Sequence, residues 1–298
     1  MRFALEVWSS RYQEVEATCR SAEALGIDAF YYGESPHHLN LDCWTTLGAL
    51  ANSTETIRLG PVITNVLPSY RSTVLLAKQA ATVAAVSRGR LDFRTGVGAS
   101  AAFGRAWWEP FGVQYPPYDR RLADLRDGLA ELQAMWAGDP TSAVAGRTPP
   151  VGPGVPRIPV TVAARGERAM ALAAQFADVW ETSFCTPVEF ADQKARIVEL
   201  LGGREITRSL EIDGFVSTTT EGLDRLLGRV RAERGAHEDL DAVLERAVVG
   251  VPEDAAGRLV ELAEAGVDQV VVALHDPHSR DALEAIAEVA AIVRSVSR

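Results

Sequence analysis

The chain is poor in the residues that build covalent or metal frameworks. Its three cysteines, Cys19, Cys43 and Cys185, are scattered through 298 residues. An odd, dispersed set makes no disulfide lattice and no C-x-x-C metal pair, and it fits a reducing cytoplasm. Basic charge is in deficit: 30 Lys and Arg stand against 40 Asp and Glu, a formal net charge of −10. Such a surface repels phosphate backbones, so nucleic acid is not the expected partner. No uncharged apolar run reaches the ~18 residues that a membrane span requires. The opening MRFALEVWSS has no apolar core and no small-residue cleavage site, so no signal peptide is expected and the cytoplasm is the expected location. Low-complexity tracts and long repeats are missing as well.

What remains is a globular composition, 47% hydrophobic and 23% charged, enough for a large core. Strand and helix patterns alternate along it. The strand-like runs are Phe3–Trp8, Ala29–Gly33, Arg58–Thr64, Arg90–Val97, Pro159–Ala163, Asp178–Thr182, Leu210–Ser217 and Asp268–Leu274. Helical periodicity fills the intervals, as in Tyr12–Leu25 before the stop at Gly26, Thr73–Val86, and Asp119–Trp136 with its stripe Leu122, Leu125, Leu129, Leu132, Trp136. Runs such as Gln269–Leu274 are apolar at consecutive positions, which suits parallel strands buried on both faces. Eight βα repeats predict an α/β protein, a single (β/α)8 TIM barrel over residues 1–298. An open doubly wound sheet is the competing architecture. Segments near 100–118, 138–157 and 235–246 break the repeat. They read as loop insertions, the first rich in aromatics, the second in Gly and Pro, the third charged and exposed.

A (β/α)8 barrel carries its site at the C-terminal ends of its strands, so the residues after each strand matter. Trp8 comes after the first and Glu34-Ser35-Pro36-His37-His38 after the second. Thr64-Asn65 close the third, and Gly96-Val97-Gly98-Ala99-Ser100 the fourth. Ala164-Arg165-Gly166 come after the fifth and His275-Asp276-Pro277-His278 after the last. Four of the five histidines therefore fall on one face. His37 and His38 are candidate general acid–base groups, against the alternative of solvated loop histidines. Glu34 is a third candidate, although a strand-end glutamate more often makes a structural bond. Ala164-Arg165-Gly166 opens a helix directly after a strand, which is an anion site if Arg165 or Arg168 joins it and an ordinary βα turn otherwise. Gly96 to Ala101 matches the loose G-x-G-x-x-G/A pattern. An aromatic, Pro-bearing stretch comes next, so Gly96 and Gly98 read as a turn that admits a ligand close to the backbone. Trp8, Phe103, Trp107, Trp108 and His275 are candidates for a substrate pocket, the aromatics either lining it or packing the insertion on the rim. No metal-binding set is expected. A metal-dependent hydrolase on His37, His38, His275 and His278 is a weaker alternative without obvious carboxylate ligands.

Several blocks together resemble the luciferase-like family of flavin- and deazaflavin-dependent oxidoreductases: Ala22-Glu23-Ala24-Leu25-Gly26, Ile57-Arg58-Leu59-Gly60 running into Val62-Ile63-Thr64-Asn65, Ser87-Arg88-Gly89-Arg90-Leu91 with Gly96-Val97-Gly98, Phe111-Gly112-Val113, Arg121, Ala173 to Trp180, and Glu264 to Asp268. The resemblance covers essentially the whole chain. It implies a barrel that holds FMN or the deazaflavin F420, with a bulge and a non-prolyl cis peptide at Val62–Ile63 behind the ring. It implies cofactor contacts from Val62, Ile63, Thr64, Asn65, Gly96, Gly98, Ala99, Ala164, Arg165 and Gly166, the phosphate lying near Gly98-Ala99 and Ala164-Arg165-Gly166. It also implies a homodimer and a small-molecule substrate. Two departures stand out. Glu34-Ser35 replaces the Glu-His that often comes after the second strand, leaving His37 or His38 to substitute. Arg94-Thr95 replaces apolar residues ahead of Gly96. The first expectation is a monooxygenase using O2 and reduced FMN supplied by a flavin reductase. The alternative is an F420-dependent hydride-transfer enzyme, toward which Thr64-Asn65 lean. A non-catalytic flavin-binding protein is a third.

Overall fold

The computed structural model describes residues 1–36, 40–139, 157–235 and 239–296. In chain order it contains β1 (Arg2–Val7), α1 (Tyr12–Ala24), β2 (Ala29–Gly33), α2 (Cys43–Ser53), β3 (Arg58–Val62), β4 (Thr64–Asn65) and α3 (Thr73–Val86). Next come β5 (Phe93–Gly96), α4 (Ala101–Trp108) with a 3-10 turn at Glu109–Phe111, α5 (Tyr118–Ala137), β6 (Val160–Ala163) and α6 (Glu167–Phe176). The remainder is β7 (Val179–Ser183), α7 (Pro187–Leu201), β8 (Thr207–Val216), α8 (Thr220–Arg234), α9 (Leu240–Glu245), β9 (Val248–Gly250), α10 (Pro252–Ala265), β10 (Gln269–Leu274) and α11 (Arg280–Val296).

The hydrogen-bonded strand order is β3-β2-β1-β10-β8-β7-β6-β5-β4, with β9 beside β8. The β1–β10, β10–β8, β8–β9, β5–β6 and β4–β5 pairs are parallel. Because β3 and β4 are successive pieces of one stretch of chain, the order begins and ends in the same βα unit. Eight βα units then account for the sheet, and the fold class is that of the α/β, (β/α)8 barrel. No helix among the described residues is long and apolar enough to cross a membrane.

The chain divides into two compact units. One comprises Met1–Val7, Gln13–Phe30 and Glu181–Arg298, the other Trp8–Tyr12 and Tyr31–Trp180. In the first, Val270, Val271 and Val272 of β10 lie in register with Leu210 to Ile212 of β8 and with Phe3 to Leu5 of β1. All three valines are fully buried, as the continuous apolar run requires. The second unit is held at the start of its strands by arginines. Arg90 donates to the carbonyls of Ala51, Thr54 and Ile57 and to the Thr54 hydroxyl. Arg58 pairs with Asp92 at 2.6 Å, and Asp92 also accepts from the Tyr31 hydroxyl.

The structure differs from the sequence-based expectation in strand limits, where the seventh strand starts at Thr207 rather than Leu210, and in the insertions. The third strand is two segments, β3 and β4, separated at Ile63. The fourth begins at Phe93 rather than Arg90, Leu91 making only an isolated bridge to Leu59. Two of the insertions also contain helices. The one near 100–118 contains α4, whose first turn is capped by the Ser100 hydroxyl. The one near 235–246 contains α9, because Leu240 is buried in a cluster with Phe215, Leu226, Val230 and Ala247, and β9 comes directly after it. Most of the 138–157 segment lies outside the described residues.

The α7 N-terminus offers a check on this fold. Thr186 and Glu189 form a reciprocal capping box, and Arg246 donates to both carboxylate oxygens of Glu189. The Arg246 bonds first, and the Thr186 amide second, pull the Glu189 pKa from its ordinary 4.5 to about 2. A depressed carboxylate contributes stability above its unfolded pKa and loses it as the pH falls through the folded one. The Glu189→Gln variant keeps the capping geometry but not the charge. In urea unfolding it is expected to be less stable than wild type at pH 7, with the gap closing as the pH drops from about 4.5 to about 2.

Candidate active site

The candidate site is built within the unit of Trp8–Tyr12 and Tyr31–Trp180. β2 is buried along its whole length and delivers Gly33 and Glu34 to its C-terminal end. Gly33 has no room for a side chain, since a Cβ would collide with the Trp8 indole. The Glu34 amide donates to the Val62 carbonyl at 3.3 Å, which sets the end of β2 beside the break in the third strand. The Glu34 carboxylate is taken at both oxygens by Arg71, at 2.8 and 3.1 Å. The two side chains are only 2% and 6% exposed. Arg71 also lies 5.1 Å from the Tyr70 ring centroid and 5.9 Å from that of Trp44, so aromatic faces share in answering its charge. Burial, and after it the Glu34 charge, raises the Tyr70 pKa to about 12. The same two causes raise the Cys43 thiol well above its usual value, which makes it a structural rather than a reactive cysteine. His37 and His38 lie outside the described residues.

The peptide between Val62 and Ile63 is cis, at the bond the family resemblance pointed to. Immediately after it, Thr64 is fully buried. Its carbonyl accepts from the Thr95 hydroxyl at 2.6 Å, while its own Oγ1 has no partner among the described residues. Asn65 bonds back to the Ile63 carbonyl at 3.4 Å. Ile63 packs on Gly96, where a Cβ would sit 2.9 Å from Cδ1 of Ile63 and 3.0 Å from the Ala163 carbonyl. Gly98 adopts φ +81°, and a Cβ there would strike the Tyr115 hydroxyl and the Asn65 amide oxygen. Asn65, Gly96, Gly98 and Ala163 thus form one tight backbone surface at the ends of β4, β5 and β6.

Arg121, 2% exposed, holds the loop after β5. It donates to Val97 O at 2.9 Å, Ala99 O at 2.8 Å and Pro116 O at 2.6 Å, and its guanidinium lies 4.2 Å from the Tyr115 ring centroid. At the β6–α6 turn, Ala164 is buried and its carbonyl accepts from Trp180. Gly166 caps α6 with no side-chain bond. Of the two arginines there, Arg168 is committed to Asp119 at 2.6 Å, leaving the exposed Arg165 as the cation beside the free helix start.

The aromatics of the insertion divide into two groups. Trp108 and Tyr115 pack with Leu67 and Val113 in a buried cluster, Trp108 meeting Tyr70 edge-on at 4.9 Å. Phe103 stacks on Trp107 at 5.4 Å, and Trp107 meets Trp8 edge-on at 6.1 Å. Phe103 is 57% exposed, so this second group presents an aromatic surface to ligand or solvent.

In the other unit, His275 Nε2 lies 3.3 Å from Glu233 and its ring packs beside Phe215. His278 turns toward α1, its Nδ1 2.7 Å from the Thr18 hydroxyl oxygen. No group of three or more His, Cys, Asp or Glu among the described residues could hold a metal ion. Arg71, absent from the sequence-based candidates, and Arg121, present among them only within a family block, are the two side chains that organise the site.

Removing one member of the Glu34–Arg71 pair strands the other as a buried charge. The Arg71→Ala variant is expected to lose about 3–5 kcal/mol of unfolding free energy in urea titration. Adding Glu34→Gln to it is expected to recover part of that loss, the coupling being read from a double-mutant cycle.

The likeness of this chain to known proteins agrees with that architecture. The 5,10-methylenetetrahydromethanopterin reductase of Archaeoglobus fulgidus is 29% identical over 201 residues, 66% of this chain and 57% of that protein. The F420-dependent glucose-6-phosphate dehydrogenase of Beutenbergia cavernae is 33% identical over 138 residues, 44% of this chain and 39% of that protein. The chain therefore spans well under two thirds of either relative. In three dimensions it is similar to an F420-dependent secondary alcohol dehydrogenase in complex with an F420-acetone adduct, with a TM-score of 0.82, 16% identity, and coverage of 98% of this chain and 99% of the other. The family model described as luciferase-like monooxygenase matches residues 4–205, and the chain belongs to that family.

Proposed function

We propose that this protein is an F420-dependent oxidoreductase that transfers hydride between the deazaflavin and a small organic substrate. The observation that carries the reading is the surface beside the break in the third strand. A buried Thr64 hydroxyl without a partner lies just after the cis peptide, next to a backbone on which Ile63, Asn65 and Tyr115 pack tightly because Gly96 and Gly98 carry no side chain. A ring with polar edges would supply the hydrogen-bond partner that the Thr64 hydroxyl lacks. The F420-dependent relative at 33% identity supports the deazaflavin over FMN.

Val62, Ile63, Thr64 and Asn65 would back the ring, and the phosphate of the tail would lie between the Gly98-Ala99 backbone and Arg165 with the open start of α6. The chemistry that the bound deazaflavin supplies is hydride transfer. Trp8, Trp107 and Phe103 exclude water from the reacting side. Glu34, with both oxygens on Arg71, orients the end of β2 rather than moving a proton. The proton that accompanies hydride transfer is assigned to His37 or His38. A homodimer belongs to the same proposal.

The aromatic surface at Phe103, Trp107 and Trp8, together with the monooxygenase description of the family, favours a second reading. In it Phe103, Trp107 and Trp8 would shield an FMN site from water, and reduced FMN delivered by a separate reductase would supply oxygen activation there. Fluorescence quenching with oxidised F420 and FMN, side by side, distinguishes the two. F420 binding, with reduction of F420 by a small alcohol or oxidation of reduced F420 by a carbonyl or enone, is the expected result. FMN binding without F420 binding, accompanied by O2 consumption, overturns it in favour of the oxygenase. Binding of neither cofactor removes both.

A further inference from the structure

We propose that Arg121 is a positioning residue that creates the phosphate-binding backbone of the cofactor site without touching the ligand. The inference rests on the reading above that the loop after β5 receives the cofactor tail. Arg121 spends its donors on the carbonyls of Val97, Ala99 and Pro116. The Tyr115 hydroxyl adds a second bond to Ala99 O at 3.0 Å.

In a planar trans peptide the C=O and the next N–H point in opposite directions. Drawing Val97 O and Ala99 O onto the guanidinium therefore turns the amides of Gly98 and Ser100 away from it. The amides of Gly98, Ala99 and Ser100 donate to no backbone or side-chain acceptor among the described residues. They continue into the start of α4, where the Ser100 hydroxyl satisfies Phe103 and the Ser100 carbonyl satisfies Gly104. The Gly98 and Ser100 amides thus face away from the guanidinium as unspent donors, which suit an anion. Gly98 is required at its centre, since φ +81° and the neighbouring Tyr115 hydroxyl leave no place for a Cβ.

The side chain is matched to this task. A planar fork reaches carbonyls in several directions at once, whereas an ammonium on a flexible stem cannot hold them in a fixed relation. Being 2% exposed, Arg121 acts from behind the loop, and its effect on a ligand passes through the backbone.

The test uses Arg121→Lys and Arg121→Gln in the whole protein, with two readouts. The first is affinity for paired probes, F420 against its phosphate-free deazaflavin fragment and FMN against riboflavin. Arg121→Gln is expected to weaken the phosphate-bearing member of the bound pair about tenfold or more, a modest displacement of positioned donors being enough. The phosphate-free member is expected to bind as in wild type, with Arg121→Lys intermediate. Equal weakening of both members, or of neither, overturns the proposal. The second readout is amide hydrogen exchange in the free protein. Phe103 and Gly104, whose protection depends on where Ser100 is held, are expected to exchange faster in Arg121→Gln, with β10 amides unchanged. Unchanged exchange at Phe103 and Gly104 overturns the clamp whether or not a cofactor binds. Failure of wild type to bind any of the four probes overturns the functional reading and, with it, the assignment of the loop to a cofactor phosphate, while exchange still decides the clamp itself.

Discussion

A guanidinium taken out of water has to be answered by oxygen atoms or aromatic faces within reach of its rigid fork, and the site-bearing unit is arranged around that constraint. Arg90 collects the carbonyls at the end of α2 and the start of β3. Arg94, fully buried, lies 4.0 Å from the Tyr31 ring centroid and donates to Pro61 O. Arg71 takes Glu34, and Arg121 takes the loop after β5. Each charge is tolerable only with its partners in place, so each also orders the backbone that supplies them.

These arginines work at opposite ends of the strands. Arg58 and Arg90 act where β3 and β5 begin and leave a stable base. Arg71 and Arg121 act where β2 and β5 end, in loops that would otherwise have little to fix them. Loops that carry chemistry depend on a rigid scaffold, and here a buried ion pair and carbonyl bonds join the apolar packing of Trp108 and Tyr115 in providing it. The aromatic residues follow the same pattern: Trp108 and Tyr115 hold the insertion in a buried cluster, Trp107 packs against it, and Phe103 stacks on Trp107 at the exposed edge.

Much of the backbone of the site was legible in the chain. Thr64-Asn65, Gly96 and Gly98 are local signals: a strand ends where polar residues or glycines interrupt an apolar run. The family resemblance added the cis bond at Val62–Ile63. The arginines were not legible as organisers of the site. Arg71 is 37 residues from Glu34, and Arg121 is 24 and 22 residues from Val97 and Ala99. Nothing in the periodicity of either end names the other. The order in 235–246 was hidden for a similar reason, since Leu240, Val243 and Leu244 are the large apolar residues of a charged stretch and find a core only because β8 and α8 bring Phe215 and Val230 to them.

The sequence by itself determined the alternation of strand and helix, the parallel character of strands such as Gln269–Leu274, and the loops that end them, because hydrophobic period and glycine placement act over a few neighbouring residues. Only the tertiary structure decided which aromatics are core and which are surface, that Arg165 rather than Arg168 stands open beside α6, and that Glu34 answers Arg71. Those outcomes depend on which groups lose water together, and that is a property of segments far apart in the chain.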